Sequence, residues 1–150
     1  MDKTTNTLNR ILKKARPETI SEYIQENGSE LLTSNKPFAN YFRMCIKAEG
    51  MHQQDVFINA DISEGYGYKL ISEEKHTKQR DTILRLCFGA HLSLEETQRA
   101  LKIYGMSPLY PRLPRDAVLM VAFNSRIYEL SEVNTLLLNN HFDALKGTDE

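Results

Sequence analysis

Few side chains in this sequence are spaced for bond-making chemistry. The four histidines, His52, His76, His91 and His141, form neither a His-Glu-x-x-His motif nor a His-x-x-x-His pair on one helix face. Glu95 and Glu96 are adjacent carboxylates, but neighbours on a helix point about 100° apart and do not share a proton. Cys45 and Cys87 lack Cys-x-x-Cys spacing and sit in apolar-periodic segments, where they read as small core hydrophobes. No glycine-rich phosphate loop and no Gly-x-Ser-x-Gly elbow is present. The sequence therefore reads as a non-enzyme, with no cofactor and no metal expected.

The chemistry that remains is recognition. It is concentrated in "HQQDVFINADISEGYGYKLISEEKHTKQRD", residues 52–81, where glutamine, tyrosine and lysine recur on a helix–turn–helix pattern. A first helix must pack on a second, the turn must be sharp, and the second helix must present polar residues outward. Val56 and Phe57 supply the inner face of the first helix and Ile62 plugs the turn. Ser63 caps the second helix, Glu64 lies in its first turn, and Leu70 and Ile71 anchor it inward. Gln53 and Gln54 stand at the edge of such a surface, as phosphate or base contacts or as exposed helix-start residues. Glu64 and Gly65 are at its tip, and Lys69, one turn on, is the foremost contact residue. Of Tyr66 and Tyr68, one is a core anchor, and Tyr66 is read as the exposed one. Lys75, Lys78 and Arg80 form either a backbone clamp after the second helix or a solvated loop. Gly67 costs about 1 kcal/mol of helix propensity, which predicts an irregular second helix over about 63–72.

The elements that position these residues are helical throughout. Leu8, Ile11, Leu12 and Ala15 recur at helical spacing; Pro17 opens a second short helix with Ile20, Tyr23 and Ile24 on its stripe; Gly28 is its stop. "TSNKP" reads as a linker, so residues 1–36 are expected to form a helical hairpin or arm. Residues 37–145 then form the main domain, with 146–150 as a tail. Phe38, Phe42, Cys45 and Ile46 mark one face of a helix that ends near Gly50. Ser93 with Glu96 is a capping box opening a later helix. No period-2 alternation is sustained, so the fold class is all-α. An internal echo relates "RDTILRLCFGAHLSLEETQRALKIYGMSPL" to "RDAVLMVAFNSRIYELSEVNTLLLNNHFDAL", with Phe88 matching Phe123 and, after one inserted residue, Leu94, Glu96, Leu101 and Leu109 matching Leu130, Glu132, Leu137 and Leu145. Two packed helical hairpins follow. The repeated Arg80–Asp81 and Arg115–Asp116 favour a structural ion pair or cap over a ligand contact.

The run Gln53, Val56, Ile62, Ser63, Leu70, then "SEEK" and "LSLEE", resembles the Cro/CI-type (XRE-like) helix-turn-helix family. Over residues 37–145 the longer pattern is similar to a subgroup of bacterial regulators, mostly Gram-positive, with an extended C-terminal helical region. The resemblance implies a Cro/CI-like bundle, duplex DNA as partner, and a recognition helix at about 63–72. Four positions depart from it: Asp61 for the turn glycine, Phe57 for a small alanine, Glu73 for a corner glycine, Thr77 for a proline.

Charge pulls the other way. Residues 52–80 carry four bases against five acids, and the whole chain has a net charge of −1. Phosphate contacts supply nearly all non-specific DNA affinity. The sequence thus supports two functions through one face: a DNA-binding transcription regulator, or a repressor-like fold used as a protein-interaction adaptor. A homodimer is expected, through the apolar "VLMVAF" and "VNTLLLNN" segments or the N-terminal hairpin. No apolar run approaches the roughly 18–20 residues of a membrane span, and a cytoplasmic location is expected.

Overall fold

The computed structural model describes residues 4–26 and 36–150 and is all-α over them. The expected helix stop at Gly28 and the linker residues 33–35 lie outside the described residues. Among the described residues, no helix is long and apolar enough to cross a membrane. The chain divides into two compact units, Met1–Pro37 and Phe38–Glu150.

In the first unit, α1 (Thr5–Lys14) is opened by the Thr4 hydroxyl, which accepts the Thr7 N–H at 3.0 Å. Lys13 and Lys14 occupy its last turn, where cations meet the negative end of the helix dipole. Pro17 starts a short 3-10 turn that runs into α2 (Ile20–Glu26). None of these helical residues is buried.

The second unit holds α3 (Pro37–Ala48), α4 (Gln53–Ala60), α5 (Glu64–Ile71), α6 (Arg80–Gly89), α7 (Leu94–Tyr104), α8 (Pro114–Asn124) and α9 (Leu130–Asn139). Six of these seven helices stop in the same way. A residue in left-handed conformation follows the helix: Gly50, Asp61, His91, Gly105, Arg126 or His141. An apolar residue comes next, and its N–H turns back to a carbonyl five residues earlier, as in Ile62 to Phe57 (3.0 Å), Leu92 to Cys87 (3.1 Å) and Phe142 to Leu137 (3.0 Å). This closure satisfies carbonyls the helix end leaves open, and drives an apolar side chain into the core at each corner. Only two of the six left-handed residues are glycine; each of the others stores about 1 kcal/mol of backbone strain.

The core runs without a break through all seven helices, from Phe38 and Phe42 to Leu137 and Leu145. Cys45 and Cys87 lie inside it as free thiols, and burial pushes Cys45 up to about 11. Gly89 marks the closest crossing. A Cβ there would meet the Val56 carbonyl at 2.6 Å, so α6 and α4 approach backbone to backbone.

The internal echo is a physical pseudo-repeat. Arg80 pairs with Asp116 at 2.5 Å and Arg115 with Asp81 at 3.0 Å, so the two Arg-Asp dipeptides bind each other crosswise. Each arginine also donates to carbonyls at the far end of its own hairpin: Arg80 to Ser107 and Pro108, Arg115 to Asp143 and Ala144. Each aspartate accepts the next N–H of the opposite hairpin, Lys146 for Asp81 and Tyr110 for Asp116. Gln98 holds Leu109 and Asn134 holds Leu145 at matching positions. Phe88 and Phe123 stack between the halves, 3.9 Å apart and 8° from parallel. The extra residue falls in the α8–α9 corner. Ser93 closes a full capping box with Glu96 (2.9 and 3.0 Å), whereas Glu129, at the matching place, gives α9 no side-chain cap.

Burial alone would raise the Asp81 carboxyl. The bonds from Arg115 and the Lys146 N–H, with the charges of Arg115 and Arg80, outweigh burial and hold it below the usual carboxylate range. A carboxylate so depressed stabilises the fold above its unfolded value of about 4, and that contribution is lost as pH falls through the folded value. Asp81→Asn is therefore expected to unfold more easily at pH 7. Removing one partner of a buried pair costs about 3 kcal/mol. The variant's stability is also expected to fall less steeply than wild type below pH 4. Thermal melts across pH 2–7 test this, and parallel stability curves for the two proteins would refute it.

Candidate DNA- or partner-binding face

The face is built on α4, the corner Asp61–Ile62–Ser63, and α5. At the start of α4 the Asp55 carboxylate accepts the His52 N–H at 3.0 Å, so one acid of this region serves as a cap. Gln54 reaches across the corner, its amide donating to Glu64 at 3.0 Å, which ties the first turns of α4 and α5 together. Gln53, beside it, is half-buried. It lines a shallow cleft with Arg43 and Lys47 of α3, Met51 and His52, and its amide oxygen is buried with no hydrogen-bond partner among the described residues.

Asp61 takes the left-handed conformation (φ 52°, ψ 50°) that the glycine of the family pattern would take, and Ile62 is buried behind it. Aspartate tolerates this geometry better than most residues. The Ser63 hydroxyl accepts the Tyr66 N–H at 3.4 Å and opens α5. Four residues of α5 turn inward (Tyr66, Gly67, Leu70, Ile71), and Glu64, Gly65, Tyr68 and Lys69 turn outward.

Two expectations are corrected here. Tyr66 is the buried tyrosine, 7% exposed, and Tyr68 the outer one at 39%. Tyr66 lies one turn before Leu70 on the inner stripe, while the Tyr68 ring rests edge-on against Phe57, centroids 4.9 Å apart. The second correction concerns Gly67. Helix α5 is regular over Glu64–Ile71, because Gly67 answers Phe57. A Cβ at 67 would lie 2.4 Å from the Phe57 ring. The large residue on α4 and the missing side chain on α5 are one packing solution.

The departures after α5 are also accommodated. Glu73 is left-handed (φ 63°), and its carboxylate accepts the Ala39 N–H at 3.2 Å, capping α3. Thr77, where the family pattern has proline, uses the N–H a proline lacks: it donates to the Tyr104 hydroxyl at 2.8 Å. Lys69, Lys75 and Lys78 are exposed and make no ion pair among the described residues. Arg80 is held by Asp116 and two carbonyls, which makes it a strut of the repeat.

Residues outside the 52–81 stretch shape the same face. Arg85 of α6, buried, donates to the Ala60 carbonyl at the end of α4 (3.2 Å) and to the Leu145 (3.1 Å) and Lys146 (2.6 Å) carbonyls. A lone cation inside the apolar run "ILRLCF" was the available signal. Residues 146–150 return across α5 and α6. Asp149 accepts from the Tyr66 hydroxyl (2.8 Å), Thr77 (2.5 Å) and Thr82 (3.3 Å), and Glu150 accepts from Ser63. Burial and this aspartate push Tyr66 up to about 12. Burial would raise Asp149, but the bonds from Thr77, Tyr66 and Thr82 hold it below the usual carboxylate range.

With α3 included, residues 43–80 carry six bases and six acids, and the returning Lys146, Asp149 and Glu150 bring the face to seven bases and eight acids, the same net of −1 as residues 52–80; Asp55 and Glu73 are engaged by backbone N–H groups at helix starts. No protein-family model, curated protein or solved structure matches the chain.

Gly→Ala within a helix ordinarily stabilises by about 1 kcal/mol. Gly67→Ala is expected to destabilise by about 1–3 kcal/mol, the usual range for overpacking. Phe57→Leu should recover part of that loss when combined with it. A double-mutant cycle by urea unfolding measures the coupling, and additive effects would show that the two residues do not share the space.

Proposed function

We propose that this chain is a DNA-binding transcription regulator that docks α5 in the major groove of duplex DNA, as the resemblance to Cro/CI-type helix-turn-helix proteins implies. The observation that carries the reading is the corner itself. Two eight-residue helices meet through a three-residue turn with a left-handed first residue and a buried apolar plug. The exposed stripe of the second helix, Glu64, Gly65, Tyr68 and Lys69, is left over by packing. Arg43 and Lys47 beside Gln53 supply cations where the first helix begins, and the Gln54–Glu64 bond joins that cleft to the tip of α5. Phosphate contacts from such residues position a reader, and outward residues of its second helix meet base edges.

A second reading, an adaptor that binds another protein through the same face, has one observation in its favour. Ile58 is 77% exposed, one turn after Gln54 on the outer side of α4, beside an acid-tipped α5. Desolvating an aliphatic side chain suits a protein surface better than a phosphate backbone.

Fluorescence anisotropy on random-sequence duplex DNA across a salt series separates the two. The regulator reading expects a low-salt Kd in the micromolar range. Lys69→Glu and Arg43→Glu should each weaken binding and each remove about one unit of log–log salt slope. Affinity insensitive to salt and to both substitutions overturns it. An Ile58→Ser protein that binds DNA as wild type does is the companion outcome, because that change removes the exposed apolar side chain without altering the charge of the face.

A further inference from the structure

The last core residue of the chain is Leu145, 3% exposed; beyond it Lys146, Gly147, Asp149 and Glu150 are exposed. Residues 147–150 bury no large apolar side chain. Hydrogen bonds alone attach them: Gln79 to the Gly147 carbonyl at 2.7 Å, the three hydroxyls of Tyr66, Thr77 and Thr82 to Asp149, and Ser63 to Glu150. Ser63 is exposed, Thr77, Thr82 and Tyr66 are buried beneath the segment, and the Arg85 bonds hold the Leu145 and Lys146 carbonyls just before it. The segment thus follows a buried guanidinium anchor and is itself held by polar side-chain bonds, without an apolar side chain of its own in the core.

Its position decides what it covers. Ser63 is the cap at the positive end of α5, and Thr77 and Gln79 lie on the stretch that leads into α6. Two carboxylates are held there by hydroxyl donors, the donor type that also binds phosphate oxygens. Resting on the proposed DNA-binding role, we propose that residues 147–150 are a releasable acidic strap whose Asp149 and Glu150 occupy donors that DNA phosphates would use, so that the chain lowers its own affinity for DNA. Strap and phosphate exclude each other, and DNA binding opens the strap by the same factor that the strap weakens DNA.

The test compares three proteins on the same random duplex by anisotropy over a salt series: the full chain, a chain ending at Lys146, and the full chain with Glu150→Gln. The last changes a side chain whose one hydrogen bond among the described residues is to the exposed Ser63, so it keeps the test alive if truncation unfolds the protein. The shortened chain is expected to bind about tenfold tighter at low salt, the effect of removing two competing charges, and Glu150→Gln to bind a few-fold tighter. Both gains should shrink as salt rises. Equal affinity of all three proteins, with DNA bound, overturns the strap and leaves the regulator reading standing. No binding by any of the three overturns both.

Discussion

One buried guanidinium holds the architecture to the α4–α5 corner. Arg85 has no carboxylate partner among the described residues; three main-chain carbonyls share its charge, those of Ala60, Leu145 and Lys146. One of these carbonyls ends α4, where the helix dipole favours a cation, and the other two end the second hairpin. The corner before α5 is thereby fixed to the segment farthest from it in sequence. An apolar replacement would fill the volume but leave the buried Ala60 and Leu145 carbonyls without this donor, each costing about 1–3 kcal/mol. The cation is tolerated in the core because each of its three nitrogens donates to a carbonyl, and hydrogen bonding of this kind is what makes buried charge bearable.

Features whose cause lies within a few residues were legible in the sequence. The helical class, the Ser93–Glu96 capping box, the Ser63 cap and the inward Leu70 and Ile71 all follow from local spacing. The Arg-Asp echo was legible as well, because both copies carry the same pair and each needs the other. What escaped the sequence depends on partners far along the chain. Gly67 is a defect of propensity until Phe57 is placed against it. Tyr66 and Tyr68 are alike in sequence, and only the packing of α5 separates them. The hydroxyl of Tyr66 finds its acceptor 83 residues away. Charge counted along residues 52–80 omitted Arg43 and Lys47, which a different helix brings to the same cleft.

The two hairpins show how one pattern serves unequal ends. Crosswise ion pairs, matched amide clamps and the Phe88–Phe123 stack make them near-equivalent at their contact. Away from it they diverge. The first hairpin packs under the α4–α5 corner through Gly89 and Arg85, while the second keeps Val121 and Leu138 exposed on its outer side. The single extra residue in the α8–α9 corner leaves the paired regions in register, because it falls after Ile127 has already closed α8.

The repeated corner closure has a kinetic meaning. Each of these six stops is decided within about six residues of chain, so those helix ends need no distant contacts to form. Closures of that kind carry little loop entropy and favour rapid formation of hairpins as units. The crossed arginines and Arg85 complete their bonds only when segments tens of residues apart have docked. The helix ends thus rest on near neighbours alone, while the crossed pairs and Arg85 are the bonds that tie the two hairpins and the end of α4 to one another.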